Sequence, residues 1–193
     1  MQTNKNDQYY ISLILSGNRE AFSVIVERYQ DNVYNLALKI CNSREDAEEI
    51  AQDSFIKVFR SLVTFKGKSS FTTWLYRIVY NTSITFIRTN KPGVLSLQDF
   101  PADSVDFIRD CETEEDADIE YMKILLAFAL QKLGHEDRAI ITMHYYEDMS
   151  QNEISSITGL SRSNIKVRLF RARKKMQQII EKYKIEEFYH EQV

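Results

Sequence analysis

The chain has 193 residues, a formal net charge of −3 and an apolar content of 44%. This length allows one domain or two small ones, and the apolar content is sufficient for compact cores. Because the chain has only 5 Gly and 2 Pro, it has few residues suited to the many turns of an all-β protein, so its composition favours helices.

The termini and cysteines bear on where the protein works. The first ten residues, MQTNKNDQYY, lack the basic stretch and apolar run of a signal peptide, and the longest apolar run, from Ile124 to Leu130, is too short to cross a bilayer. The two cysteines, Cys41 and Cys111, lie far apart in unlike contexts, which predicts neither a disulfide framework nor a metal or redox site. We expect a soluble cytoplasmic protein without membrane insertion, cofactor or metal.

The weak net charge conceals two segments of opposite sign. Between Arg162 and Lys175 there are seven Lys and Arg residues and no acid, whereas between Asp99 and Glu120 ten acids accompany the single base Arg109. Clustered cations, rather than the average charge, determine whether a surface binds phosphates. The first segment is therefore a candidate nucleic-acid surface despite the negative total.

Apolar residues recur at helical spacing in two blocks, from Ala21 to Asn90 and from Ile119 to about Ile185. The stretch between them contains both prolines and most of the acidic segment, a composition typical of an extended, solvated linker. We predict an all-α chain of two small helical domains, 1–90 and 119–193, joined by a flexible acidic linker, 91–118. Composition leaves open whether this linker is a spacer or shields a basic surface.

A helix-turn-helix pattern lies in the second block. Ser150 and Glu153 have the spacing of a capping box, which predicts the start of a short helix. Gly159 suits the left-handed turn after that helix, and Ser161 is placed to cap the next one. The core face of this second helix is predicted to contain Ile165, Leu169, Ala172 and Met176.

The opposite face of the same helix combines cations with exposed apolar side chains. It contains Ser163, Lys166, Val167, Phe170, Arg171 and Lys174. Cations can neutralise phosphates or pair with guanine, and an exposed Phe or Val can meet a thymine methyl group in the major groove. Two alternatives remain open: a basic surface helix without a partner, and packing of Phe170 on a neighbouring helix.

In the first block, residues 46–60 form an amphipathic helix with an unusual outer face. The predicted core side contains Ala47, Ala51, Phe55, Val58 and Leu62. Glu49, Gln52, Asp53 and Ile56 lie outward, where two like charges four residues apart repel each other and Ile56 exposes apolar surface. A basic partner surface would relieve both costs. The alternative is an ordinary solvated face on which Asp53 pairs with Lys57.

The helix that begins near Ser70 also has two distinct faces. The face predicted to point inward contains Phe71, Leu75, Ile78, Val79 and Phe86, and a second stripe contains Trp74, Arg77, Asn81, Thr85 and Arg88. Aromatic, cationic and amide side chains in one line are suited to single-stranded nucleic acid. The preceding loop adds Lys66 and Lys68 around a glycine, where an unstacked base could be received. The alternative is that Trp74 belongs to the core.

Two sequence runs resemble a known family. DAEEIAQDSFIKVFRSL followed by FKGKSSFTTWLYRIVYN is similar to sigma region 2, and SQNEISSITGLSRSNIKVRLFRARKKM is similar to sigma region 4, of extracytoplasmic-function (ECF) sigma factors, group 4 of the sigma-70 superfamily. The resemblance covers nearly the whole chain in the expected order. It implies a promoter-specificity subunit of bacterial RNA polymerase that has no catalytic residues of its own.

The resemblance also implies roles for individual residues. Binding to the β′ clamp helices of the polymerase core would fall to Asp46, Glu49, Gln52, Asp53 and Ile56. Capture of the melted −10 element would fall to Lys66, Lys68, Ser70, Phe71, Trp74, Arg77, Asn81 and Arg88. Region 4 would sit on the β flap and read the −35 element with Arg162, Ser163, Asn164, Lys166, Val167, Phe170, Arg171, Arg173 and Lys174. The linker would thread toward the RNA exit channel, and an anti-sigma factor is an expected partner.

Two departures and two rival functions accompany this resemblance. Many relatives have an acid at the position of Thr85 and a small polar residue at that of Val167, so the promoter sequence does not carry over. A conventional helix-turn-helix regulator would use its first block to bind a ligand or partner instead of polymerase. A recombinase or nuclease would need a nucleophile or metal-binding cluster, and His135, His144 and His190 lack ligand spacing.

Overall fold

A computed structural model describes the backbone of residues 6–90 and 114–190, and the side chains of 6–90 and 119–183. Throughout these ranges the regular structure is helical, which confirms the predicted all-α class. We number the helices α1 (Asp7–Leu15), α2 (Ala21–Cys41), α3 (Arg44–Ser61), α4 (Phe71–Asn90), α5 (Glu114–Gln131), α6 (His135–Tyr145), α7 (Gln151–Thr158) and α8 (Arg162–His190). A 3₁₀ turn, Leu62–Thr64, extends α3.

The first block is built around α2, which packs against α1, α3 and α4. Asn42 ends α2 in the left-handed conformation, with φ of 59°, and Ser43 caps α3 by accepting a hydrogen bond from the Asp46 amide at 3.3 Å. Cap and turn residues together therefore fix the sharp connection between α2 and α3.

The short helix α1 was not predicted from the sequence. It is held to α2 by Asp7, whose carboxylate accepts hydrogen bonds from the Arg28 guanidinium and, at 2.7 Å, from the Tyr29 hydroxyl. Ile11 and Ile14 bury the apolar side of α1 against the core. A helix of only nine residues is marginal alone, so contacts with α2 determine its position.

The second block contains α5 to α8. Helix α5 begins at Glu114, five residues before the predicted start of the second domain at 119. The rest of the predicted linker, 91–113, lies outside the described residues.

The two blocks pack against one another, which the sequence did not predict. Helix α2 contacts α6, and α4 contacts α7. The Tyr76 hydroxyl on α4 donates to the Glu147 carboxylate after α6, and His135 Nδ1 lies 2.9 Å from the Ile40 carbonyl oxygen. Burial, with the nearby carboxylate, raises the pKa of Tyr76 far above its usual range, so the hydroxyl remains a donor.

Arg138 joins the blocks most directly. Its side chain is 4% exposed, and its guanidinium donates to the carbonyl oxygens of Gln131 and Leu133 in the second block and of Ile40 in the first. Burial lowers its pKa to about 10, which leaves the group charged at neutral pH. One buried cation therefore satisfies backbone acceptors near the ends of α2 and α5.

Candidate nucleic-acid interface

The predicted helix-turn-helix is present in α7 and α8. Ser150 Oγ accepts from the Glu153 amide at 3.3 Å while the Ser150 amide donates to Glu153 Oε2 at 2.9 Å, so the capping box is complete. Gly159 follows α7 with φ of 76°, and Ser161 Oγ accepts from the Asn164 amide at 3.3 Å. These local interactions set the angle at which α8 leaves the turn.

The two faces of α8 lie as the sequence predicted. Ile165, Leu169 and Ala172 are buried and Met176 is half-buried. The candidates for −35 binding are all exposed: Arg162, Ser163, Asn164, Lys166, Val167, Phe170, Arg171, Arg173 and Lys174. Phe170 is 60% exposed, so the alternative in which it packs on a neighbouring helix is wrong.

Arg168 on α8 forms ion pairs within the protein. Arg168 Nη1 lies 3.0 Å from Glu136 Oε2 and 2.8 Å from Asp137 Oδ1, both at the start of α6. This pairing joins α8 to α6, and the positive charge of Arg168 is balanced by carboxylates of the protein itself. The exposed Arg171, three residues further along, keeps its guanidinium available to a partner.

The stripe on α4 is open to solvent except at its first member. Arg77, Asn81, Thr85 and Arg88 are exposed, as are Lys66, Lys68 and Ser70 before the helix. Gly67, between the two lysines, has φ of +66°, a conformation that glycine adopts without strain. The loop and stripe together form a continuous line of cations and hydrogen-bonding groups.

Trp74 is half-buried at the edge of an aromatic cluster. Its ring centroid lies 5.3 Å from that of Phe65 and 5.8 Å from that of Phe71, and the latter two lie 5.6 Å apart. Phe71, which the sequence prediction included among the −10 residues, is only 5% exposed, so it packs beside the indole instead of facing solvent. The sequence prediction did not include Phe65 in this cluster, although its position directly before the Lys66–Lys68 loop could have indicated it. Trp74 belongs to the cluster and still exposes part of its ring.

The outer face of α3 is also exposed. Glu49, Gln52, Asp53 and Ile56 face solvent, with Ile56 44% exposed, and Asp46 is half-buried. Lys57 Nζ donates to Thr82 Oγ1 at 3.1 Å, and among the described side chains no ion pair joins it to Asp53. The alternative in which Asp53 pairs with Lys57 is therefore wrong.

An apolar groove of about 550 Å³ adjoins this acidic face. It is lined by Phe22, Val26, Gln52, Phe55, Ile56, Phe59 and Arg60. Gln52 and Ile56 belong to both surfaces, so the acidic face and the groove are continuous. The sequence prediction missed the contribution of α2, because only the packing of α2 on α3 brings Phe22 beside Phe59, with ring centroids 5.0 Å apart.

Two of the three histidines, His135 and His144, have structural contacts. His135 Nδ1 lies 2.9 Å from the Ile40 carbonyl oxygen and His144 Nδ1 lies 3.0 Å from that of Met149, while the His190 side chain is outside the described residues. Among the described side chains, no three His, Cys, Asp or Glu residues are placed to hold a metal ion. In the part of the chain that the structure covers, no helix is long and apolar enough to span a membrane.

Comparisons with known proteins place both blocks in one family. The family model for sigma-70 region 2 matches residues 25–92, and that for sigma-70 region 4 matches residues 123–176. The chain is 29% identical over 182 residues to the RNA polymerase sigma-H factor of Pseudomonas aeruginosa, covering 90% of this chain and 93% of the relative. It is 29% identical over 187 residues to the ECF RNA polymerase sigma-E factor of Haemophilus influenzae, covering 94% and 98%.

Solved structures share the fold at lower identity. The structure of CnrH in complex with the cytosolic domain of CnrY matches with a TM-score of 0.65 and 24% identity, covering 91% of this chain and 97% of that one. The sigma factor RpoE of Bartonella quintana, in complex with the anti-sigma factor NepR, matches with a TM-score of 0.61 and 20% identity, covering 83% and 96%. Together, the two family models in chain order and the near full-length relatives show that the chain belongs to the extracytoplasmic-function sigma factors, which direct RNA polymerase to initiate transcription at specific promoters.

Proposed function

We propose that this chain binds the RNA polymerase core, reads the −35 element as duplex through α8 and captures the melted non-template strand of the −10 element along α4. The observation that supports this most directly is the exposed face of α8, which combines Lys166, Arg171 and Lys174 with Val167 and Phe170. A largely exposed phenylalanine presents apolar surface to water, which is unfavourable unless a partner covers it.

Duplex recognition falls to α8 because a helix fits the major groove of B-DNA. Its cations neutralise phosphates and fix the register of the protein, whereas contacts to base edges carry the sequence information. Arg171, with a planar guanidinium that can pair bidentately with guanine, is the strongest candidate for a base contact. Arg168 is assigned to the internal ion pairs and not to DNA.

Strand capture falls to the loop and stripe of α4. The exposed part of Trp74 offers a stacking surface, the Asn81 amide can bond a base edge, and Lys66, Lys68 and Arg77 follow the backbone. Opening of the duplex is then driven by binding of the unstacked bases, since trapping an open state shifts the equilibrium toward it. The protein performs no catalysis in this step.

Polymerase docking falls to the acidic face of α3. Glu49 and Asp53 repel each other, and Ile56 exposes apolar surface beside them, so a basic partner with an apolar patch would relieve both costs. We assign this face to the β′ clamp helices and extend the contact to Phe22 and Phe59 in the adjoining groove. Region 4 is assigned to the β flap.

The packing of the two blocks sets a condition on this function. Positions −35 and −10 are about 25 base pairs apart, or about 85 Å of duplex at 3.4 Å per base pair. A compact chain of this length has a radius of gyration of about 16 Å and is therefore about 40 Å across. The blocks must separate, breaking the bonds of Tyr76 and of Arg138 across the interface, before both elements are read together.

An anti-sigma factor is the expected regulator. The matched structures contain CnrH with the cytosolic domain of CnrY and the Bartonella sigma factor with its anti-sigma factor NepR. We extend that kind of partner to this chain, and we place its activity in the cytoplasm, where polymerase acts. The acidic segment that precedes α5 is assigned a path toward the RNA exit channel, where its charge would mimic nascent RNA.

Two substitutions test the division of labour between the blocks. Arg171→Ala should weaken binding to a duplex −35 probe by the reconstituted holoenzyme, while Asn81→Ala should leave that binding unchanged and reduce promoter opening, measured by permanganate reactivity. Both variants should bind polymerase core normally. Equal loss of core binding in both would overturn the assignment, and tight operator binding by the free protein would favour a conventional regulator.

A further inference from the structure

Two apolar side chains stand out on the basic face of α8. Val167 is 45% exposed and Phe170 is 60% exposed, and they lie three residues apart, which places them side by side on the helix surface. Within the described residues no neighbouring element covers either of them. Their surroundings are polar, with Lys166 and Arg171 next to them in sequence and Ser163 one turn earlier.

This pair is better suited to DNA than to a second copy of the chain or an apolar protein surface. The surrounding face carries cations and no acid, so two copies would repel one another there. A polyanionic partner is attracted by the same charges, and the charge pattern therefore selects nucleic acid as the occupant.

In the major groove the apolar group displayed by a base pair is the C5 methyl of thymine. Val167 and Phe170 are offset by three residues, which is about 4.5 Å along the helix axis at 1.5 Å per residue. Successive base pairs are about 3.4 Å apart. Two side chains with this offset can therefore reach the methyl groups of two neighbouring base pairs.

We propose that the −35 element read by this chain contains two thymines, one in each of two neighbouring base pairs, whose methyl groups contact Val167 and Phe170. The inference rests on the proposed function of α8 and adds its sequence preference: the cations set affinity and register, and this apolar pair selects thymine. Because both side chains are largely exposed, shortening them should alter DNA recognition while leaving the fold stable.

Deoxyuridine provides the test, since it differs from thymidine only by the missing methyl group. A promoter is first selected by run-off transcription with the reconstituted holoenzyme. Each thymine of its −35 region, on both strands, is then replaced singly by deoxyuridine, and holoenzyme affinity is measured by competition. We expect two neighbouring positions to lose about fourfold each, as for one buried methyl group, and other thymines to show no change.

Variants assign each methyl group to its side chain. In Val167→Ala one of the two deoxyuridine effects should disappear, and in Phe170→Ala the other should disappear. Leu126→Ala, which shortens a side chain that is 39% exposed on α5, serves as the matched control and should retain both effects.

The outcomes separate the inference from the proposed function. If deoxyuridine has no effect at any position while Arg171→Ala still weakens binding, the thymine inference is wrong and −35 reading by α8 stands. If the deoxyuridine effects persist at full size in both apolar variants, other residues contact the methyl groups and the inference is again wrong. If Arg171→Ala also leaves the −35 duplex bound as tightly as before, the proposed function of α8 itself fails.

Discussion

Locking the two blocks together should abolish promoter-dependent transcription. Asn32 on α2 and Glu147 after α6 belong to different blocks, and Asn32 Nδ2 lies 3.5 Å from Glu147 Oε2. Cysteines at these positions, in a Cys111→Ser background, can be joined by a short, reducible bis-maleimide. The native Cys41 is buried at 7% exposure, so it should react slowly.

The expected size of the effect follows from two lengths. A locked molecule about 40 Å across cannot place α4 and α8 on elements separated by about 85 Å of duplex. The yield of run-off transcript with core polymerase should therefore fall to the level of core alone. It should return when the bis-maleimide crosslinker is cleaved by reduction. The acidic face of α3 stays exposed in the locked form, so core binding through that face should persist.

A crosslink inside one helix is the matched control. Gln177 and Glu181 lie one turn apart on α8, with Gln177 Nε2 2.8 Å from Glu181 Oε1, and a link between cysteines at these positions does not join the blocks. That protein should transcribe normally. If the protein locked between blocks transcribes as well as its reduced form, the blocks need not separate and the two-element account is refuted.

Three further predictions follow from single side chains. Arg171→Gln should weaken binding to the −35 duplex by about 1–3 kcal/mol and relax the sequence preference at one base pair, whereas Arg168→Gln, which breaks the pairs with α6, should leave that preference unchanged. Arg138→Lys retains the charge but cannot reach all three carbonyl groups, and it should lower the free energy of unfolding in urea by about 2 kcal/mol. Hydrogen bonds from Ser150 lower the pKa of Glu153, so Glu153→Gln should lower the free energy of unfolding at neutral pH. The difference in unfolding free energy from wild type should shrink as pH falls below about 4, where the wild-type carboxylate becomes protonated. Ser156→Ala, at an exposed position on the same helix, should show neither change.

The faces of α8 could be predicted because local rules determine them. The capping box and Gly159 fix where α7 begins and ends, and Ser161 fixes where α8 begins; from that start the helical period assigns each side chain to a face. The outward set from Glu49 to Ile56 on α3 followed in the same way. No contact with a distant segment was needed for either assignment.

The sequence was less informative where distant segments meet. On α4 the prediction recognised an inner face and a stripe, yet a third face is buried as well, because Tyr76 and Tyr80 lie against the second block. Burial raises the pKa of Tyr80, and the nearby charge of Glu136 raises it further. The period of a helix identifies which residues share a face but not which partner covers it, so both the interface between blocks and the groove beside Phe22 required the three-dimensional structure.

Run-off transcription with core polymerase is the direct test of promoter-specific initiation by this chain. Bacterial core polymerase would be incubated with a genomic promoter library, with and without this protein, and the transcript ends would be mapped. We expect a set of start sites that depends on the protein, with shared sequence elements near −35 and −10, and loss of those starts in the Asn81→Ala variant. If the protein binds core polymerase but stimulates no start site, the proposed function is wrong.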